Sequence, residues 1–182
     1  MVDPAHGDPT EQVTYYTIEL GLCSHLSEIP ELERAAGERF IAIGMADVAD
    51  GEVTPLSILE SRADLQRLYV AIAPDGKVVG FLIWSPKDGR AYIEEVSVRP
   101  DHAGHRLGAR MIDRLADDVR GNHRALSLAT FRDVPWNAPY YRKLGFSELA
   151  YADAGPDHEE SWRHQAENGL DMSRRLFMVK PL

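Results

Sequence analysis

The chain has almost nothing with which to cross-link itself. Its 182 residues include one cysteine, Cys23, so no internal disulfide can form. Such a sequence suits a reducing compartment. No partner motif for a thiol nucleophile accompanies Cys23, which reads as a small buried hydrophobe. Positive charge is scarce as well: 20 Lys and Arg stand against 29 Asp and Glu, a net charge of −9. Non-specific nucleic-acid binding needs a basic face, so a nucleic-acid partner is not expected. Acidity of this kind mainly keeps a protein soluble, and it is compatible with a cationic acceptor such as an amine. Long apolar runs are missing too, none approaching the roughly 18 residues of a membrane span. The opening residues, MVDPAHGDPTEQ, carry neither the basic nor the apolar segment that directs export. The expectation is a cytoplasmic protein with no membrane partner.

What is present is an ordinary globular composition, 44% hydrophobic and 27% charged. Residues 1–12 read as a disordered tail and 13–182 as a single domain. Val13 to Leu20 alternates as a strand. Ser27 to Phe40 carries Ile29, Leu32, Ala36 and Phe40 on one helical face, with Pro30 and glutamates near its start. After a connection holding Gly44 and Gly51, a second helix is expected from Pro55 to Leu68. Tyr69–Ala73, Lys77–Trp84 and Arg90–Val98, joined by Pro-Asp-Gly and Lys-Asp-Gly, spell three antiparallel strands. A helix from Arg106 to Arg120 returns the chain to a strand over Ala125–Thr130, parallel to Tyr92–Val98 through a right-handed crossover. Pro135–Lys143 reads as a short helix, with strands at Phe146–Tyr151 and Arg175–Val179. Ala152–Asn168 is a hydrophilic insertion without an assigned element; its His158, Glu159, Glu160 and His164 read as solvated. The pattern predicts an α/β (α+β) fold with a mixed, mostly antiparallel sheet of about six or seven strands flanked by helices.

The stretch YIEEVSVRPDHAGHRLGARMIDRLADDV, Tyr92 to Val119, is the centre of the chain. It is a strand, a glycine-bearing loop and an amphipathic helix, in which Leu107, Met111, Leu115 and Val119 recur every four residues. The first turn of such a helix has unpaired N–H groups and a positive dipole end, and it can hold a phosphate. Leu107-Gly108-Ala109 lacks the Gly-Lys-Ser/Thr of a P-loop, and no GxGxxG is present. The loop after Val98-Arg99-Pro100 resembles instead the pyrophosphate loop of the GNAT N-acetyltransferases, (Gln/Arg)-x-x-Gly-x-(Gly/Ala), with Gly108 and Ala109 matching. Ala103 stands where that family prefers Gln or Arg, and Arg106 where it prefers the first glycine. Asn137 to Phe146, NAPYYRKLGF, is similar to the family's Tyr-x-x-x-Gly-Phe signature, with Tyr141 on its tyrosine; Val134 replaces a more distant Asn. The resemblance covers roughly Val13 to Val179, with specific motifs only between Tyr92 and Phe146.

The resemblance implies a GNAT fold with two splayed parallel central strands and acetyl-CoA as acyl-donor substrate, with no metal. The pantetheine arm would lie between those strands beside Val96, Ser97 and Val98. The pyrophosphate would rest on Gly104, His105, Arg106, Leu107, Gly108 and Ala109, with Asn137 and Tyr141 closing the site. It also implies that the first two helices cover the acceptor and allows a homodimer. Acyl transfer to an amine needs a base, an oxyanion donor and an acid for the thiolate. Glu94 and Glu95 are the candidate bases, with Glu95 favoured; alternation puts them on opposite faces, only one of which holds the acceptor, and a bulge would change the answer. Tyr141 is the acid by family position, and the Val96 N–H a candidate oxyanion donor. His102 and His105 form an HxxH pair without a third ligand, and read as polar loop residues. Tyr140 reads as packing, and Trp84, Trp136 and Trp162 as packing or acceptor-pocket walls. A non-catalytic acyl-CoA-binding domain, another acyl-CoA and a hydroxyl acceptor stay open, as does the identity of the acceptor.

Overall fold

The computed structural model describes residues 15–182; the tail expected over 1–12 and the beginning of the strand expected at Val13 lie outside the described residues. One seven-stranded sheet organises them, in the order β1-β2-β3-β4-β5-β7-β6. Its strands are β1 (Thr17–Leu20), β2 (Leu68–Ile72), β3 (Val78–Lys87), β4 (Arg90–Val98), β5 (Ala125–Phe131), β6 (Ser147–Leu149) and β7 (Arg175–Pro181). Every neighbouring pair is antiparallel except β4 and β5. The helices are α1 (Ile29–Gly37), α2 (Ala46–Ala49), α3 (Leu56–Asp64), α4 (Leu107–Val119), α5 (Ala138–Lys143), α6 (Tyr151–Ala154) and α7 (Pro156–Glu167).

Period-2 alternation sorts the strands into two apolar faces. Tyr69, Ala71, Leu82, Trp84, Ile93, Leu126 and Leu128 pack on one face against Leu107, Met111, Ile112, Leu115 and Val119 of α4. Leu68, Val70, Phe81 and Ile83 point the other way, onto Ile29 and Leu32 of α1 and Leu59 of α3. On that second face, Tyr92 and Phe177 pack with Ala154 and Trp162 of α6 and α7. The fully buried α4 leucines are each worth about 2–5 kcal/mol against alanine, so the helix that carries the glycine loop is firmly seated.

Four sequence expectations change. The helix expected over 27–40 is broken: 3₁₀ turns at Cys23–Glu28 and Glu38–Ile43 flank the α-helical Ile29–Gly37. Cys23 is exposed at the start of the first of these turns, not buried. The hydrophilic insertion is largely helical, and His158 in it is fully buried. Its ring bridges Asp88 Oδ2 at 2.6 Å and Ser127 Oγ at 2.9 Å, which pins α7 to the β3–β4 turn and to β5. A buried imidazole with both nitrogens engaged is a staple. Finally, the two adjacent glutamates do not lie on opposite faces.

Candidate active site

β4 and β5 stay together only through Ala91–Leu126, Tyr92–Ser127 and Ile93–Leu128. Beyond Ile93 they part, so the β4 amides and carbonyls that face β5 have no strand partner there, and such groups need one. The Val96 and Val98 side chains point to α4. A Cβ on Gly108 would lie 4.0 Å from a Cγ2 of each valine and 3.5 Å from the Tyr140 hydroxyl. Glycine thus keeps a channel open between the start of α4 and the free end of β4.

The loop above this channel presents backbone donors. Gly104 (φ 87°) and Arg106 (φ 56°) are both left-handed, which turns the chain sharply into α4. Arg110 N–H donates to Arg106 O at 2.9 Å as the first helical bond. The N–H groups of Leu107, Gly108 and Ala109 therefore precede the helical ladder, at its positive end. The position where the GNAT pattern prefers its first glycine is thus one whose backbone favours glycine, although arginine occupies it. The His105 ring packs tilted against Tyr16, with centroids 4.6 Å apart, and His102 Nδ1 lies 2.9 Å from the Tyr16 hydroxyl. Arg110 donates to the Tyr16 carbonyl at 2.8 Å. Both histidines thus anchor the chain entering β1. Asn137 precedes α5, and its carbonyl accepts the Tyr141 N–H at 2.9 Å.

A β-bulge decides where the two glutamates point. Ile83 pairs with Glu95 while the next residue, Trp84, pairs with Ile93, leaving Glu94 as the extra residue of β4. Ile93 faces α4, Glu94 and Glu95 both face the α1–α3 side, and Val96 returns to α4. Glu94 is fully committed. Arg62 of α3 grips it with Nε at 2.7 Å and Nη2 at 2.9 Å, and Ser85 Oγ donates at 2.7 Å. Glu95 accepts one hydrogen bond, from Ser97 Oγ at 2.7 Å, and the Val96 amide also favours its ionised form. Burial nonetheless raises the Glu95 pKa above the ordinary carboxylate value.

Around Glu95 stand residues that motif reading passed over. Glu33 of α1 is pushed up to about 7, by burial and then by the Glu95 charge, while Thr54 holds both of its oxygens at 2.9 and 3.0 Å. Arg39 lies 5.0 Å over the Trp136 ring, and Arg175 lies 4.6 Å over Phe131. Both guanidiniums act on Glu95 and on Tyr141. Burial, then the Glu95 charge, raises the Tyr141 phenol, keeping it protonated. Tyr140 reaches the α4 N-terminus, where burial raises its phenol while Arg106 and the Ala109 amide oppose that shift. The sequence offered one faint signal for these groups: Arg175 opens the apolar strand RLFMV, and Glu33 and Arg39 interrupt no apolar face.

Where β4 parts from β5, Val96 and Val98 face Gly108 of α4 while Glu95 and Ser97 face the other side, and Tyr141 lies within electrostatic reach of Glu95. Comparison with known proteins then identifies the class. The acetyltransferase (GNAT) family model matches residues 32–146, and the chain belongs to that family. It is an acyltransferase. Among solved structures, the chain is similar to N-acetylglutamate synthase from Neisseria gonorrhoeae, solved with coenzyme A and N-acetyl-glutamate, at a TM-score of 0.71 and 16% identity over 92% of this chain. It spans only 35% of that longer protein. The PaiA N-acetyltransferase from Thermoplasma acidophilum, in complex with coenzyme A, matches at a TM-score of 0.63 and 13% identity, over 92% of this chain and 99% of its own. A GNAT family acetyltransferase from Brucella melitensis, in complex with acetyl-CoA, matches at 0.54 and 24%, over 79% and 91%. At these identities the likeness is one of fold.

Proposed function

We propose that the protein transfers the acetyl group of acetyl-CoA to a primary amine by direct attack within a ternary complex. The observation that carries the reading is Glu95, a carboxylate of raised pKa left largely uncommitted beside the opening between β4 and β5. Its neighbour Glu94 is tied to Arg62 and Ser85, so we assign the base to Glu95 and give Glu94 the task of holding α3 in place. Glu95 takes a proton from the acceptor ammonium, directly or through water. The amine nitrogen bonds to the thioester carbon, and the carbon–sulfur bond then breaks. Tyr141, protonated at neutral pH, donates to the departing thiolate and is reprotonated from solvent. The β4 backbone groups that face β5 beyond Ile93 supply hydrogen bonds along the acyl-carrying arm. The N–H groups from Gly104 to Ala109, with Arg106, take the pyrophosphate. Coenzyme A or acetyl-CoA in all three of these similar structures supports this choice of donor.

Thiol release from acetyl-CoA with a panel of amines tests the assignment. Glu95→Gln should lower kcat by about 10²–10⁴-fold with coenzyme A affinity nearly unchanged. Glu94→Gln should act mainly on stability. Unaltered turnover in Glu95→Gln would remove carboxylate catalysis, and failure of coenzyme A to bind in calorimetry would remove acyl transfer altogether.

A further inference from the structure

The cleft on the α1–α3 side of Glu95 holds more positive charge than its own acids use. Arg175 opens β7 on the same face as Phe177 and so looks across the β4–β5 opening toward Glu95. One of its nitrogens, Nη2, donates to the Ala129 carbonyl at 3.1 Å, and its plane rests on Phe131. Its Nε is buried with no hydrogen-bond partner. Phe131, Phe40 and Trp136 form a continuous aromatic wall, with ring separations of 5.8 and 5.5 Å. Arg175 caps one end of this wall and Arg39 the other. Neither guanidinium forms an ion pair with any described carboxylate, although other arginines of the chain do. The Trp136 indole N–H is a second buried donor left without an acceptor.

A buried donor without an acceptor costs about 1–3 kcal/mol, and more on a charged group. Two such donors with two unpaired cations, beside a reacting carboxylate, describe a place built for an acceptor-only anion. We propose that the acceptor substrate is a small amine that carries a carboxylate, held by Arg175 with Arg39 beside it so that its amine faces Glu95. This rests on the acyl-transfer reading and names its substrate class. The charges agree. Arg39 and Arg175 contribute two positive charges against Glu95 and a Glu33 whose pKa, pushed up to about 7, leaves it only partly ionised near neutrality. The carboxylate of an amino acid supplies the negative charge that this surplus lacks. A plain ammonium ion would meet two guanidiniums instead. Arg175 also lines an open groove of about 420 Å³ with Tyr151, Trp162, Phe177 and the Arg132–Glu148 pair.

The test compares L-amino acids with the corresponding amino-acid amides as acceptors, following thiol release from acetyl-CoA. The acids should have kcat/KM values about tenfold to a hundredfold above their amides. Arg175→Gln should bring that ratio to near one with coenzyme A affinity unchanged, and Arg175→Lys should restore part of it. Arg39→Gln, at the exposed end of the wall, should lower the ratio without threatening the fold. Equal use of acids and amides by the wild type would overturn the proposal and leave acyl transfer standing. So would a ratio unchanged in Arg175→Gln. A preference for succinyl-CoA over acetyl-CoA that vanishes in Arg175→Gln would overturn it too, by assigning the arginine to the acyl chain. Thiol release with no member of either series, despite bound coenzyme A, would sink both this proposal and the function beneath it.

Discussion

Arg106 bears two opposed demands. Its backbone is left-handed at φ 56°, a conformation that costs an L-residue about 1–2 kcal/mol and glycine nothing. Its side chain places a cation beside the amides proposed to hold the pyrophosphate. Arg106→Gly should therefore raise the melting temperature, by an amount equivalent to about 1 kcal/mol, and weaken coenzyme A binding severalfold at low salt. Thermal denaturation and calorimetry on the same variant read both; a loss of stability would contradict the strain argument. Tyr141→Phe removes the hydroxyl while keeping the ring contact with Phe146 at 5.6 Å. It should slow turnover by about 10²-fold, most visibly at alkaline pH, with coenzyme A affinity close to wild type.

Elements show where sequence reading succeeds and where it stops. The three antiparallel strands, α4 and the crossover to β5 are legible because their apolar periods of 2 and 3.6 are written locally. Gly108 and Tyr141 are legible because short motifs carry them. α7 is not, since its only fully buried side chain is a histidine and the periodicity is polar throughout. His158 looks solvated until Asp88 and Ser127 arrive from 70 and 31 residues away. Arg39 and Arg175 escape for the same reason: their significance is an absent partner, visible only in three dimensions. His158→Ala leaves the buried Ser127 hydroxyl without its partner and opens a cavity, while Asp88 keeps the backbone N–H groups of Asp157 and His158, so it should cost about 2–3 kcal/mol. Hydrogen exchange should rise first over residues 151–167. Uniform loss of protection across the sheet would show that the staple is not local.

For the whole molecule, the cleft charges set how stability follows pH. Glu33 has a folded pKa of about 7 against an ordinary 4.5, so the native state binds its proton more tightly than the unfolded chain. Its contribution is most favourable below pH 4.5, declines as pH rises to about 7, and stays unfavourable above. His158 runs the other way. Burial lowers its pKa below 6.5, so its contribution is intact above that pH and is lost as pH falls toward the folded value. Glu33→Gln should thus stabilise the protein at pH 8, on the order of 1 kcal/mol, with the gain fading toward pH 4.5. Urea denaturation at the two pH values checks this. The same variant removes a negative neighbour of Glu95, so the rising limb of its rate profile should move to lower pH.

The bulge in β4 has a geometric consequence of its own. In a regular strand, like-facing neighbours sit two positions apart, so consecutive acids cannot share a side. One inserted residue lifts that restriction and leaves the parity of everything after it as if nothing had been added. The strand can then spend one carboxylate on tethering a covering helix and keep its neighbour for a visiting proton. Excising Glu94 should leave Glu95 aimed as before while α3 loses its anchor, so that tether and proton carrier become separable by a single-residue deletion.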